Sequence, residues 1–88
     1  MQIKEIHYSK KFEEQFRLLP LDIKKKASKI TNLFKINPFY PSLRLHKLKG
    51  KLDGGWSISI DYKYRIIFKP MQDGVILFVS IALHAIYD

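Results

Sequence analysis

Cysteine is absent from this 88-residue sequence, and acidic residues are few. Without cysteine the chain can form no disulfide, no Cys-ligated zinc or iron–sulfur site and no thiol nucleophile. Only 8 Asp and Glu residues oppose 16 Lys and Arg residues, which gives a formal net charge of +8. No apolar run approaches the ~18 residues needed to span a bilayer, and no apolar segment of a signal peptide follows the first basic residue. These absences are compatible with a cytoplasmic protein that has no membrane partner.

The residues that are present favour one folded domain covering positions 1–88. Hydrophobic residues make up 47% of the chain and aromatic residues 14%, which argues against disorder. The charge is uneven, because residues 1–52 hold thirteen Lys and Arg against four acidic residues, whereas residues 53–88 hold three against four. Either a lysine-coated solvated surface or a polyanionic partner (nucleic acid, an acidic membrane surface or an acidic protein) explains the basic half.

Apolar spacings of three and four residues predict two helices. Ser9 stands where an N-cap is expected, and Pro20 should end the first helix. Asn37-Pro38 should end the second. Together they form a hairpin whose apolar side must be covered by a sheet. The predicted apolar faces are Phe12, Phe16 and Leu19 in the first helix and Ile23, Ala27, Ile30 and Phe34 in the second.

The remaining segments predict strands at 3–8, 43–50, 56–60, 64–69 and 75–83, joined by short turns. Residues 56–60 alternate strictly, so their apolar side chains should share one face. The fold class is therefore α+β, in the order β-α-α-β-β-β-β, with a helical hairpin packed on a small, mainly antiparallel sheet.

Three histidines are candidates for chemistry. His7 is isolated on the first strand, and we interpret it as structural or incidental. His46 and His84 lie in different strand regions and could act together only if the sheet brought them close. Such a pair would suit RNA cleavage, because histidine titrates near neutral pH and can act as base toward the 2′-OH or as acid toward the leaving 5′-oxygen. This chemistry requires no metal or other cofactor, and the carboxylates are too scattered to suggest a metal cluster.

Arg65 is the charged residue of an otherwise hydrophobic strand, Tyr64 to Phe68. It is either an arginine at the sheet rim paired with Asp61 or the terminal carboxylate, or a phosphate-binding arginine that stabilises developing charge. Tyr87 is either a C-terminal packing anchor or an aromatic that stacks on a base.

Six motifs follow one another along the chain: Tyr8 to Phe12, Asn37-Pro38, His46 to Gly54, Trp56 to Ile58, Asp61 to Phe68 and Leu83 to Tyr87. In this order they resemble the RelE/ParE superfamily of type II toxin–antitoxin toxins, over nearly the full length, and most of all the RelE/YafQ-like mRNA interferases. The sequence departs from the YafQ-like pattern at Ser59, where those members carry another histidine.

The resemblance implies a twisted sheet under the helical hairpin and cleavage of messenger RNA on the ribosome. It implies inhibition by a cognate antitoxin, with operator DNA bound only through that antitoxin. By the same resemblance His46 and His84 match catalytic histidines, Arg65 a phosphate-stabilising arginine and Tyr87 the terminal aromatic. The expected RNA-binding residues are the cations of the His46 region: Arg44, Lys47, Lys49 and Lys51.

Two other functions stay open from the sequence. A ParE-like toxin that binds DNA gyrase would use the same fold and would not need His46 and His84. A basic RNA-binding module without toxicity would need only the positive surface.

Overall fold

Ser9 begins the first helix and also ties it to the sheet. The computed structural model describes residues 1–49 and 55–83. In it, strand β1 (Glu5–Tyr8) leads into helix α1 (Lys10–Arg17). The Ser9 hydroxyl accepts a hydrogen bond from the Phe12 N–H at 3.0 Å and donates to the Val79 carbonyl at 2.6 Å. The predicted N-cap is thus confirmed.

Helix α2 (Leu21–Ile36) follows after a short turn and places its predicted apolar face in the core. Helix α1 ends at Arg17, with Leu18 as its C-cap, so Pro20 begins α2 rather than directly ending α1. Proline suits that position because its fixed φ is compatible with a helix start. The four buried residues of α2 are Ile23, Ala27, Ile30 and Phe34.

Four further strands complete the sheet: β2 (His46–Lys47), β3 (Trp56–Ser59), β4 (Tyr64–Pro70) and β5 (Val75–Leu83). The strand order is β1-β5-β4-β3-β2. Strands β1 and β5 are parallel, and the other neighbouring pairs are antiparallel. The predicted α+β class with a mainly antiparallel sheet is therefore confirmed, and β4 is the central strand.

The predicted strand at 43–50 was wrong at its beginning. Leu43 ends a short 3-10 turn (Pro41–Leu43) and is fully buried. Arg44 then adopts a left-handed conformation, with φ 48° and ψ 52°, which interrupts any extended backbone. Pro41 favours the start of such a turn because its φ is fixed. Pairing with β3 consequently starts only at His46.

A β-bulge shows how α1 is fastened to the sheet. Ile67 pairs with Ser80 and Phe68 pairs with Phe78, which leaves Val79 without an opposite residue on β4. The Val79 carbonyl accepts a hydrogen bond from the Ser9 hydroxyl, and the nearby Ile81 N–H donates one to Gln15 Oε1 at 2.7 Å. The side chains of Ser9 and Gln15 thus form hydrogen bonds with backbone groups of β5 at the bulge, where the pairing with β4 is disturbed.

The hydrophobic core lies between the helices and one face of the sheet. Phe34 of α2 packs edge-on against Phe68 of β4, with ring centroids 4.9 Å apart, and lies 5.9 Å from Phe78 of β5. Ile58 and Ile66 are fully buried in the same cluster. The alternate residues of the same strands form the other face of the sheet, which neither α1 nor α2 covers.

Candidate functional site

Arg65 lies on the central strand and is buried on the sheet face opposite the helices. Only 8% of the residue is exposed. Its Nη1 donates to the Ser59 hydroxyl at 2.9 Å, and the two residues are direct partners in the β3–β4 ladder. Arg65 is therefore buried within the sheet and does not lie at its rim, and the terminal carboxylate that the sequence offers as its partner is outside the described residues. Burying a guanidinium costs desolvation energy and requires hydrogen-bond partners for its donors, one of which is Ser59.

Three buried serines share this face with Arg65: Ser59 is its partner on β3, whereas Ser57 and Ser80 flank the buried Ile67, the next residue of β4 on the same face. The alternation of β3 sends Trp56 and Ile58 toward the helices and sends Ser57 and Ser59 to the opposite side. Ser80, opposite Ile67 on β5, is also buried. We call this side, defined by Ser57, Ser59, Arg65 and Ser80, the polar face of the sheet.

His46 reaches the polar face from the edge strand β2. It pairs with Ser57, and directly paired residues of an antiparallel ladder share a face. His46 and Arg65 line one cavity of about 240 Å³, together with Arg44 and Leu45. Two residues that are 19 positions apart therefore meet at one concavity, with an imidazole and a guanidinium on its walls.

A second cavity adjoins the first. Its volume is about 320 Å³, and it shares both Arg44 and Arg65 with the His46 cavity. The turn between β3 and β4 supplies the rest of one wall. Its lining residues are Ser42, Arg44, Ser59, Asp61, Tyr62 and Arg65. The two arginines thus line both depressions, where an anionic group would find two guanidinium donors.

Arg44, which lines both cavities, has a left-handed backbone conformation. Its φ of 48° is unusual for a residue with a Cβ atom, because the left-handed region is sterically costly for L-residues. Strained residues of this kind are concentrated at functional sites, where surrounding structure holds them in place. Leu43, fully buried immediately before it, anchors the backbone from which Arg44 extends.

The family model of the ParE-like toxin domain matches residues 21–88, which include the whole of this site. The chain belongs to the ParE-like toxin domain family. This match confirms the resemblance to the RelE/ParE superfamily that the sequence shows. No curated protein matches the chain significantly.

Solved structures of bacterial toxins share the fold of this ParE-like toxin domain. A YoeB/ParE toxin from Agrobacterium tumefaciens is 16% identical with a TM-score of 0.78, and the match covers 92% of this chain and 99% of that one. YafQ from E. coli is 20% identical with a TM-score of 0.76 and 97% coverage of both chains. The E. coli DinJ–YafQ toxin–antitoxin complex matches with a TM-score of 0.73 at 20% identity, covering 98% and 97%. The chain therefore has the fold of toxins from type II toxin–antitoxin systems.

In this ParE-like toxin domain, the predicted RNA-binding residues that the structure describes lie on different faces of the sheet. Lys47 pairs with Trp56, whose side chain packs against the helix-covered core, so Lys47 belongs to the face opposite Arg65. Lys49 is exposed beyond the end of β2. Of the predicted RNA-binding residues that the structure describes, Arg44 is the one that lines the cavity with His46 and Arg65. The predicted residues Lys51, His84 and Tyr87 lie outside the described residues.

Two cavity residues, Asp61 and Tyr62, had no site role in the sequence interpretation. In the sequence, Asp61 is a possible ion-pair partner of Arg65, and both residues begin the motif from Asp61 to Phe68. The available signal was an aromatic residue in a three-residue turn between two strands, directly before the strand that carries Arg65. Tyr62 is 89% exposed, which is unusual for so large a ring.

His7 is remote from this site, as its isolated position in the sequence suggested. It lies on the edge strand β1, at the other edge of the sheet from β2, and its Nε2 is 3.0 Å from the Glu5 carboxylate. Within residues 1–49 and 55–83, no three His, Asp or Glu side chains are grouped as a metal ion would require. Over the same residues no helix is long and apolar enough to cross a membrane.

Proposed function

We propose that this ParE-like toxin is an endoribonuclease that cleaves messenger RNA on the ribosome without a metal ion. The observation that carries the proposal is the shared cavity of His46 and Arg65 on the polar face of the sheet. An imidazole supplies a proton acceptor or donor, and a buried guanidinium supplies fixed positive charge. Phosphodiester cleavage by an internal nucleophile needs both.

In the proposed reaction the ribose 2′-oxygen attacks the adjacent phosphorus and its proton passes to a base. The bond from phosphorus to the 5′-oxygen then breaks, and an acid protonates that oxygen. The products are a 2′,3′-cyclic phosphate and a 5′-hydroxyl. His46 performs one of the two proton transfers, and the resemblance assigns the other to His84.

Arg65 is proposed to stabilise the charge that accumulates on the phosphorane oxygens. The Ser59 bond fixes the orientation of the guanidinium before RNA arrives, and preorganised charge of this kind lowers the barrier most effectively. Arg44 adds a second guanidinium at the same cavity. Lys47 and Lys49 are better suited to contacting RNA phosphates away from the reacting group, and Tyr87 remains the proposed base-stacking residue.

Removing the imidazole of His46 tests the proposal, because that residue is exposed and its loss should leave the fold intact. The purified protein is mixed with ribosomes programmed with messenger RNA, and the RNA ends are mapped and chemically typed. We expect His46→Ala to lower the cleavage rate by about 10² to 10⁴-fold, the range for a lost acid–base group. Arg65→Gln should lower it at least as strongly.

His7→Ala is the matched control, since it removes an exposed imidazole at the opposite edge of the sheet. It should cleave as the wild type does. Products that end in a 3′-hydroxyl would contradict the proposal, as would full activity of the double variant His46→Ala, His84→Ala.

Binding of DNA gyrase is the competing function, and the match to a ParE-like family model favours it over a plain RNA-binding module. Expression of the chain alone in a bacterium separates the possibilities. Translation arrest with new RNA ends supports the ribonuclease, DNA damage without RNA ends supports the gyrase binder, and normal growth supports the RNA-binding module.

We also propose that a cognate antitoxin restrains the protein in the cytoplasm and alone connects it to operator DNA. The fold is shared with a toxin that has been solved in complex with its antitoxin. A groove of about 490 Å³ between α1 and α2, on the helical side of the molecule, includes the aromatic side chains of Tyr8, Phe12 and Phe16. A groove that combines aromatic rings with polar side chains suits an amphipathic partner segment, and the basic first half of the chain favours an acidic one.

A further inference from the structure

We propose that the second cavity, at the turn between β3 and β4, selects a guanine base beside the cleaved phosphate. This inference rests on the proposed ribonuclease function and adds a specificity site to it. The cavity shares Arg44 and Arg65 with the His46 cavity, so a nucleotide whose phosphate lies between the arginines would extend its base toward this turn. Its volume of about 320 Å³ is at the lower end of pockets that bind small molecules.

Tyr62 offers a stacking surface in this cavity. The residue is 89% exposed, whereas the neighbouring Tyr64 is half-buried against the core. Burial therefore does not account for the size of the Tyr62 side chain. Aromatic rings exposed beside cationic grooves bind unpaired bases by stacking, and this contact is tolerant of base identity.

Asp61 supplies the selectivity that stacking lacks. Its Oδ1 accepts hydrogen bonds from the backbone N–H groups of Lys63 and Tyr64, each at 2.8 Å. These two bonds hold the carboxylate in one orientation at the cavity wall. An ionised carboxylate only accepts hydrogen bonds, and because Oδ1 already accepts two, Oδ2 is the oxygen left to accept from a base.

Guanine is the base whose Watson–Crick edge fits such a group. Its N1–H and exocyclic N2–H are adjacent donors, and protein side chains read unstacked bases through that edge. Adenine and cytosine each place an acceptor ring nitrogen beside one amino donor, and that nitrogen would face the carboxylate. Uracil presents one N–H between two carbonyl oxygens. The unfavourable contacts with the other three bases add to the preference for guanine.

Asp61→Asn is the sharpest variant, because the amide oxygen can still accept the two backbone N–H groups of the turn. The other side-chain atom becomes a donor, which reverses the hydrogen-bonding character toward the base. Asp73→Asn is the matched control, an exposed aspartate on the turn before β5. Tyr62→Ala tests stacking, and Tyr62→Phe should restore it because the ring is retained.

The first measurement maps RNA ends in cells expressing each variant. We expect guanine to be enriched at one of the two positions flanking the cut, and Asp61→Asn to reduce that enrichment at least about fivefold, as expected for losing a hydrogen bond to a charged group. Asp73→Asn should keep the enrichment. Cuts without a guanine preference, or with a preference that Asp61→Asn leaves unchanged, would overturn the inference while leaving the ribonuclease proposal intact.

The second measurement does not depend on cleavage. The purified protein is titrated with the 3′,5′-bisphosphates of the four nucleosides, and the backbone amide resonances of Asp61 to Tyr64 are followed by NMR. We expect guanosine bisphosphate to bind at least about fivefold more tightly than the other three, with the difference lost in Asp61→Asn and the affinity for all four lowered in Tyr62→Ala. Equal binding of the four nucleotides by the wild type would overturn the inference even if no RNA were cut.

Discussion

The two faces of the sheet are built from alternate residues of the same strands, yet their chemistry differs. The face under the helices carries Ile58, Ile66, Phe68 and other apolar residues packed on α1 and α2. The polar face carries three buried serines and Arg65 around one buried apolar residue, Ile67. The first arrangement is what a core requires, because apolar burial drives folding. The second places a buried guanidinium beside hydroxyl groups, and it is the arrangement on which the proposed function rests.

The two faces should also differ in how much a substitution lowers the stability of the protein. A close-packed aromatic cluster loses both transfer energy and packing contacts when a ring is removed. A buried polar face depends instead on individual hydrogen bonds, which contribute less to stability and more to the orientation of a group. Three substitutions test this contrast, from the largest expected effect on stability to the smallest.

Phe68→Ala should destabilise the protein most. The ring is fully buried against Phe34, and its removal leaves a cavity that costs about 3–5 kcal/mol in free energy of unfolding. Lys69→Ala, the next and exposed residue of β4, should change that free energy by less than about 0.5 kcal/mol. Urea-induced unfolding measures both. Equal losses would mean that the helix-covered face is not the stabilising one.

Ser59→Ala should have a smaller effect on stability and a distinct effect on function. It removes the acceptor of the Arg65 Nη1 bond, at a cost of about 1.5 kcal/mol for a bond to a charged group. If Arg65 stabilises the phosphorane, cleavage should fall about tenfold because the guanidinium loses its fixed orientation.

Ser57→Ala serves as the comparison, since it removes a buried hydroxyl from the same strand and face but keeps the bond between Ser59 and Arg65. Unfolding and RNA cleavage are measured on both variants. Equal loss of cleavage in the two would show that the polar face acts through its general polarity rather than through the orientation of Arg65.

Arg44→Gly should have the smallest effect on stability, and the effect should be favourable. Glycine relieves the left-handed strain at φ 48° but loses more chain entropy on folding, so we expect a net gain of about 0.5 kcal/mol. Asp73→Gly, at the other non-glycine residue with positive φ among those described, should give a smaller gain, because aspartate adopts the left-handed region more readily than arginine. Thermal unfolding measures both gains.

Activity separates the two glycine variants. RNA cleavage should fall in Arg44→Gly, which loses a guanidinium from both cavities, and stay unchanged in Asp73→Gly. A loss of stability in Arg44→Gly alone would mean that the Arg44 side chain is retained for folding.

Much of the fold could be predicted because its signals are local. The spacing of Ile23, Ala27, Ile30 and Phe34 defines the buried side of α2 irrespective of what covers it. Ser9 could be identified as a cap from its position before an amphipathic segment. The beginning of β2 was missed because the left-handed conformation of Arg44 is set by the burial of Leu43 and the turn at Pro41, and not by a preference of arginine itself.

The site was predictable only in part. Arg65 was conspicuous as a charge in an apolar strand, but its burial and its Ser59 partner follow from the pairing of β3 with β4. The separation of Lys47 from His46 follows from their alternation once His46 is paired with Ser57. The roles proposed for Asp61 and Tyr62 depend on a cavity that includes residues from three separate segments.

The sequence by itself determined the helices, the alternation within each strand and the α+β class, because those features follow from periods of 3.6 and 2 along a continuous backbone. The tertiary structure decided which residues from different strands face one another. That choice depends on register, and shifting a strand by one residue would exchange its two faces. Only after β2, β3 and β4 are aligned do His46, Arg44 and Arg65 line one cavity, and only then does a function for the polar face become apparent.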